Sequence, residues 1–379
     1  MKKDERSTTI GVIGCGHWGP NHIRNFRDLP GVQVKWAVDK DGHRRTHVSS
    51  LYDRLNTTDN IDEMLNDKSV GAVVVATPTS SHYEICMEAI RAGKHVLCEK
   101  PLGISSRECH ELIDTAADRG VVLMVGHVFL FNGGILKLKE LIAFNDLGRP
   151  YYASAVRTNL GPIRDDVNAS FDLASHDISI FNFLFGSAPV AVSACGHAYL
   201  KHGVEDVVFI TLTYPNEMIA GIEVSWLNPQ KVRHITLVGD KKMATWDDLS
   251  SSGAITIYDK GVIREPYYDS YGEFHLLARE GDVTIPKLQL EEPLKRQARF
   301  FIDAIAKKNA TVCSGERGWE VVRTLEAINE SMREGGTAVS VEGYEMAQEK
   351  RSTEREITLS GIPMTNGPRR SKNRPQKSA

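Results

Sequence analysis

T-I-G-V-I-G-C-G-H-W-G, residues 9–19, runs from a short apolar strand signal straight into three glycines, Gly14, Gly16 and Gly19, spaced G-x-G-x-x-G. Where such a turn opens a helix, each glycine has its own reason. The first permits the tight turn, the second lets the backbone approach a pyrophosphate, and the third allows close packing of helix on strand. The helix N-terminus adds unpaired N–H groups and positive potential, with His17 and Trp18 at its start. Glycine turns are common, so the pattern gains weight only from context. Asp39 closes the next strand signal, V-Q-V-K-W-A-V-D, 25 residues past Gly14. A carboxylate there accepts from an adenine-ribose 2′-hydroxyl and repels a 2′-phosphate, so the expected cofactor is NAD in preference to NADP. Lys40 and the Arg44-Arg45 pair pull the other way. Asp39 read alone is a helix cap, but that reading leaves the glycines to coincidence.

Outward from this turn, strand and helix signals alternate. V-G-A-V-V-V-A-T-P (70–78) has the unbroken β-branched run of a central parallel strand. A short helix signal (61–66) precedes it, and a helix over 83–93 that ends on glycine follows it. Then come the strand H-V-L-C-E (95–99), a helix capped by Ser105 or Ser106, and a fifth strand over 121–127. Repeated β-α-β units with short connections predict a doubly wound parallel sheet. Past residue 127 the pattern changes. A helix (134–144) and a strand (151–159) lead to a stretch of aspartates, and five strand signals follow without helices between them. Their alternation predicts a mostly antiparallel sheet with one covered face. Two helical segments, 294–305 and 319–332, close the folded part.

At 379 residues the chain exceeds the usual size of a single core, so two domains are expected. Formal charge is −3, but residues 361–379 carry five Lys/Arg and no acid, which leaves an acidic body of −8. Such a body argues against nucleic acid or an anionic membrane as the main partner. The tail is polar, proline-bearing and read as disordered. Six cysteines without C-x-x-C spacing read as free thiols in a reducing compartment. The N-terminus lacks the apolar core of a signal peptide, and no apolar run reaches spanning length. A cytoplasmic protein is expected.

Three later segments hold chemistry-bearing residues at strand ends. Thr77 and Pro78 follow the third strand, with His82 close behind, where a loop would border the ligand crevice. Glu99-Lys100-Pro101 follows the fourth, and the proline holds Lys100 extended, able to donate to a substrate oxygen. D-D-V-N-A-S-F-D-L-A-S-H-D (165–177) precedes an apolar run that ends at Gly186. If Asn168 or Ser170 caps a helix there, Asp172 and His176 form an i, i+4 pair on one face. An aspartate one turn before a histidine can fix its tautomer and stabilise the imidazolium formed when it takes a proton. A metal site built on Asp172, His176 and Asp177 is disfavoured, because Asp177 points about 100° from His176 on a helix. Asp177 either braces the helix or touches substrate.

Taken together and in order, G-C-G-H-W-G, A-T-P-T-S-S-H, E-K-P and D-L-A-S-H-D resemble the glucose–fructose oxidoreductase / inositol dehydrogenase / rhizopine-catabolism (Gfo/Idh/MocA) family over residues 8–340. The resemblance implies an N-terminal Rossmann domain (1–126) and a C-terminal α+β domain with an open sheet (127–345), leaving a basic tail (346–379). It also implies oxidation or reduction of one secondary alcohol of a sugar or cyclitol with NAD(P). By that likeness Lys100, Asp172 and His176 match the catalytic positions. Gly14, Gly16, His17, Trp18, Gly19, Asp39, Thr77, Pro78, His82, Glu99 and Lys100 match the cofactor side. The run R-T-N-L-G-P-I-R-D-D-V-N-A-S-F-D is similar to the branch acting on the 3-hydroxyl of UDP-N-acetylhexosamines or their uronates. Arg157, Asn159, Arg164, Asp165, Asn168 and His176 then fall on the substrate side. Phe171 and Ser175 depart from the tryptophan and proline expected there. A 3-keto product would suit an aminotransferase and amino-sugar synthesis. The alternatives are an inositol or free-sugar dehydrogenase, or a silent NAD(P)- or sugar-sensing regulator. A homodimer or homotetramer joined through the open sheet is a further expectation from the fold.

Overall fold

The computed structural model describes residues 8–161, 163–164, 166–250, 254–266, 274–288, 291–307 and 312–343. Strands β1 (Thr8–Ile13), β2 (Val32–Val38), β3 (Asn56–Thr58), β4 (Ala72–Val75), β5 (His95–Glu99) and β6 (Leu123–Gly126) form one parallel sheet in the order β3-β2-β1-β4-β5-β6. The strand order reverses beside β1, and ligands of such sheets bind outside the strands' carboxyl ends at that point. Every residue of β4 is buried, as its apolar run requires. Helices α1 (Trp18–Arg27), α2 (Gly42–Leu51), α3 (Ile61–Leu65), α4 (His82–Arg91) and α5 (Ser106–Arg119) make the connections. Ser105 is the cap of α5, its hydroxyl accepting from the Glu108 N–H, and Gly120 ends that helix in the left-handed region. The sequence pattern shows neither β3 nor α2. The strand has three residues, and α2 buries only Val48, so no apolar stripe marks it.

The glycine turn has the sterics its spacing predicts. Gly14 sits at φ +94°, and a methyl there would lie 2.5 Å from the Ala76 carbonyl oxygen. A methyl on Gly19 would lie 2.0 Å from the Gly14 carbonyl oxygen, whereas one on Gly16 would meet nothing nearer than Arg44, at 3.6 Å. Gly14 and Gly19 are therefore demanded by the protein's own packing. Gly16 faces open space.

After α6 (Gly133–Ala143) the second sheet begins with β7 (Pro150–Leu160). A π-helical turn (Ser170–Ala174) and α7 (Ser175–Phe185) come next, then β8 (Ala191–His197), β9 (Val207–Thr213), β10 (Ile219–Ser225), β11 (Leu227–Gly239), β12 (Met243–Asp247) and β13 (Ile255–Tyr258). A hairpin, β14 (Gly261–Pro266) with β15 (Phe274–Arg279), stands apart as a two-stranded sheet before β16 (Val283–Thr284). With β17 (Val339–Ser340) the nine-stranded order is β16-β13-β12-β11-β7-β10-β9-β8-β17. All of its pairs are antiparallel except β7 with β10. In β9 buried residues alternate with exposed or half-buried ones, so one face is covered. Trp226, Trp246 and Tyr214 are fully buried, each contributing about 1.5–3 kcal/mol or more through burial.

Helices α8 (Pro293–Lys307) and α9 (Gly315–Arg333) return the chain to the parallel sheet. The buried stripe of α8, including Leu294, Ala298 and Phe301, faces α1, with Phe26 and Phe301 edge to face at 6.2 Å. Glu292, just ahead of α8, accepts from Arg24 and Asn25 of α1. α9 lies against α5, α7 and β8. Both sheets lie within one compact unit that ends at Val341, and the basic tail (346–379) lies outside the described residues.

Gly19→Ala is expected to destabilise the protein by about 1–3 kcal/mol, the usual cost of forcing a methyl into packed atoms. Gly16→Ala should stay within about 0.5 kcal/mol of the parent, as an exposed change does. It should nevertheless weaken dinucleotide binding, because its methyl stands where a pyrophosphate approaches. Urea denaturation and NAD calorimetry on the two variants separate these effects.

Candidate active site

Two openings meet at the carboxyl ends of the parallel strands. The larger, about 700 Å³, is lined by Gly14, Gly16, His17, Trp18, Asp39, Arg44, Thr77 and Pro78. The second, about 350 Å³, is lined by Glu99, Lys100, Arg157, Asn159, Arg164, Asp172 and His176. Trp18, Ala76 and Thr77 line both, so a ligand held in one borders a ligand held in the other.

The first cleft fits a dinucleotide. No side chain caps the start of α1, which leaves its N–H groups for an anion beside the open face of Gly16. Asp39 accepts from the Cys15 N–H at 2.6 Å and the Asp41 N–H at 2.8 Å, with Arg44 Nη1 at 3.8 Å. Those bonds hold its carboxylate at the end of β2, where the sequence places it. His82 does not line the cleft, and here the expectation is corrected. Its buried ring lies between the Pro101 carbonyl oxygen at 2.8 Å and the Thr77 carbonyl oxygen at 2.9 Å, tying the loop after β4 to the loop after β5. Burial lowers its pKa against the pull of those carbonyls, and the neutral ring donates to one of them. Gly19 likewise lies beneath the turn and not on the cleft. Glu99 faces the second pocket, with Oε1 2.7 Å from His22 Nε2.

In the second pocket Lys100 Nζ donates to the Asp172 carbonyl oxygen at 2.6 Å and lies 3.5 Å from its carboxylate. The same carboxylate accepts from Arg164 Nη1 and Trp226 Nε1, each at 3.2 Å. Burial raises the Asp172 pKa, but Lys100 and Arg164 outweigh it and hold the carboxyl below its ordinary value. Burial sets Lys100 below the ordinary lysine value; Asp172 opposes that shift and Arg164 adds to it. His176 lies edge-on to Phe129, ring centroids 4.9 Å apart. Burial first, and then the cations Lys100 and Arg157, push its pKa well below 6.5. Its Nδ1 has no hydrogen-bond partner among the described residues. The imidazole is therefore neutral near pH 7 and can accept a proton. Behind it His127, fully enclosed, is lowered to about 4, by burial and then by Lys100.

The expected Asp172–His176 pair is not made. The turn 170–174 is π-helical and both side chains line the pocket, but the Asp172 carboxylate is taken up by Lys100, Arg164 and Trp226, and no hydrogen bond joins it to His176 among the described residues. Asp172 holds Lys100, and His176 stands apart within the same pocket. Asn168 is also re-placed. Its Oδ1 accepts from the Phe171 N–H and the Ser170 hydroxyl, while its amide donates to Glu205 and Asn329. It is the helix cap and does not line the pocket. Asp177 braces the helix. Arg157 donates to it twice, at 2.8 Å each, with both side chains at most 4% exposed. Arg157 thus lines the pocket with Nε and Nη2 already engaged. Arg164 donates to Asp166 at 2.8 Å. Asp165 lies outside the described residues.

The sequence reading passed over Lys231, Arg233, Trp226 and Phe129. The first two line the pocket from β11, and their K-x-R alternation within L-N-P-Q-K-V-R-H was the available signal. Among the described residues no helix is long and apolar enough to cross a membrane. The six cysteines are unpaired. Asp177→Ala leaves the Arg157 guanidinium buried without its carboxylate and should cost about 3–5 kcal/mol in urea denaturation.

The description "Oxidoreductase family, NAD-binding Rossmann fold" matches residues 8–127, and "GFO/IDH/MocA C-terminal domain" matches 135–245. UDP-N-acetylglucosamine 3-dehydrogenase of Acidithiobacillus ferrooxidans is 28% identical over 82% of this chain and 93% of its own length. Inositol 2-dehydrogenase 2 of Paenarthrobacter aurescens is 31% identical over 58% of this chain and 69% of its own. The solved structure of GenD2 from gentamicin A biosynthesis, in complex with NAD, is similar at TM-score 0.75 and 25% identity, over 89% of this chain and 97% of that one. Parallel sheet, glycine turn, mixed second sheet and these likenesses agree: the chain belongs to the Gfo/Idh/MocA family of oxidoreductases, whose NAD-binding Rossmann domain precedes the family's C-terminal domain.

Proposed function

We propose that this protein is an NAD-dependent dehydrogenase that oxidises the 3-hydroxyl of a UDP-N-acetylhexosamine, UDP-N-acetylglucosamine or its uronate, to the 3-keto sugar. The observation that carries the reading is the gathering of Lys100, Asp172 and His176 around one pocket that shares Trp18, Ala76 and Thr77 with the dinucleotide cleft. Bound NAD supplies the hydride acceptor. His176, neutral and lining the pocket, takes the proton of the reacting hydroxyl. Lys100 donates to the oxygen as negative charge grows there, and Asp172 holds the ammonium in place. Asp39 favours NAD over NADP, since a 2′-phosphate would stand against its carboxylate. Arg44, 3.8 Å from that carboxylate, tempers the preference.

The nucleotide-sugar reading draws support from a relative matched along 93% of its length. A second reading, inositol oxidation, rests on a relative matched along 69% of its length. Incubation with NAD and either UDP-N-acetylglucosamine or myo-inositol decides between them. NADH absorbance and product mass should be followed together, since cofactor retained through turnover gives no bulk NADH. A loss of two hydrogens from myo-inositol alone would overturn the proposal.

His176→Asn should lower kcat by about 10²- to 10⁴-fold, the usual contribution of a general base. Because the His176 pKa lies well below 6.5, kcat/KM should hold level near neutrality and its acid limb should lie well below pH 6.5. A separate alkaline limb should begin below 10.5, as the lowered Lys100 gives up its proton. Lys100→Met should remove that alkaline limb.

A further inference from the structure

We infer that the substrate of this pocket carries an anionic group at the pocket mouth, and that Lys231 is the residue that receives it. The inference rests on the reading of this pocket as the sugar site and adds a specificity-determining position to it.

Five cationic side chains line the pocket: Lys100, Arg157, Arg164, Lys231 and Arg233. Four of them are already matched by carboxylates. Lys100 has Asp172, Arg157 has Asp177, Arg164 has Asp166 and Asp172, and Arg233 has Asp248 at 2.9 Å. Glu99, the remaining acid of the lining, is held by His22. Lys231 alone of the five has no ion pair among the described residues. Apparent richness in positive charge thus reduces to one uncompensated cation.

The strands explain its position. β11 runs antiparallel to β7 with Arg233 opposite Arg157 and Val232 opposite Thr158. Alternation along each strand then puts Lys231 on the same face as Arg233, Arg157 and Asn159, all of them lining the pocket. The register shifts between Leu227 and Val232, and the Thr158 hydroxyl holds the Gln230 carbonyl oxygen at 3.3 Å. That bond fixes the backbone immediately before Lys231 while its side chain stays exposed. Lys100, by contrast, is only 11% exposed. The reacting hydroxyl therefore belongs at the Lys100 and His176 end, and the anion toward the exposed Lys231. A neutral polyol offers Lys231 no charge-compensating partner. A phosphate or carboxylate does, and its source is either the diphosphate of a nucleotide sugar or the carboxylate of a uronate.

The test measures kcat and KM of the full-length protein with NAD for UDP-N-acetylglucosamine, glucuronate and myo-inositol, in the parent, Lys231→Gln and Lys231→Arg. Loss of one hydrogen bond between charged groups predicts a KM for the anionic substrate about 10- to 100-fold higher in Lys231→Gln, with kcat little changed. Lys231→Arg should restore it, and added salt should raise the parent's KM far more than that of Lys231→Gln. Unchanged KM in Lys231→Gln overturns the inference while leaving the nucleotide-sugar reading intact. Turnover of glucuronate only, weakened in Lys231→Gln, defeats that reading and supports the inference. Turnover of myo-inositol only defeats both. If none of the three is turned over, calorimetry with UDP gives the same comparison, and equal or absent binding in parent and variant overturns the inference.

Discussion

Lys100 Nζ reaches from the end of β5 to Asp172, 72 residues further along the chain, and donates to its carbonyl oxygen at 2.6 Å. An ammonium only 11% exposed needs nearby negative charge, or it loses its proton to the cost of desolvation. The partner belongs to the segment beside the other sheet, so the contact ties the placement of the two sheets together. Asp172 lies in the π-helical turn 170–174, and its carboxylate meets Lys100. Asn168 fixes where that turn begins, through Ser170 and Phe171 on one side and through Glu205 and Asn329 on the other.

Around this contact the protein keeps cations close to a neutral base. A buried histidine among guanidinium and ammonium groups cannot hold a proton easily, and that makes His176 an acceptor at neutral pH. The arrangement tolerates so much positive charge because Asp177, Asp166 and Asp248 screen it at short range. The Arg157–Asp177 pair is the most deeply placed. Its geometry, two parallel bonds of 2.8 Å, is of the kind that offsets desolvation. Arg157 also stacks over Phe129 at 4.5 Å, and Phe129 meets the His176 ring edge-on. Base, aromatic wall and ion pair are one packed layer.

Much of the fold could be read in the sequence because it is written in period and punctuation. The glycine spacing, the β-branched run of β4 and the closing Asp39 each follow from backbone sterics or burial, and these are local. α2 escaped notice because its apolar content is one valine, and β3 because three residues carry no period. Lys100, Asp172 and His176, expected by type and position, do line one pocket. Their mutual geometry could not be read, since the partners that take up the Asp172 carboxylate, Lys100 and Trp226, are distant in sequence. Asp177 could be narrowed only to bracing the helix or touching substrate, because its partner Arg157 lies 20 residues away on a strand. Lys231 and Arg233 look like ordinary strand residues until β11 is paired with β7.

The parallel pairing of β7 with β10 has a consequence for how the chain assembles. β7 is the first strand of its sheet to be synthesised, yet both of its neighbours, β10 and β11, come after β8 and β9. Until Ile219–Gly239 is available, β7 has no partner on either edge, and closing those long loops carries an entropic cost before any contact repays it. Arg157 and Asp177 are close enough in sequence to meet early. The wall bearing Lys231 and Arg233 arrives late, so the second pocket is among the last features of this molecule to exist, and a truncated or partly synthesised chain has a dinucleotide cleft with no finished pocket beside it.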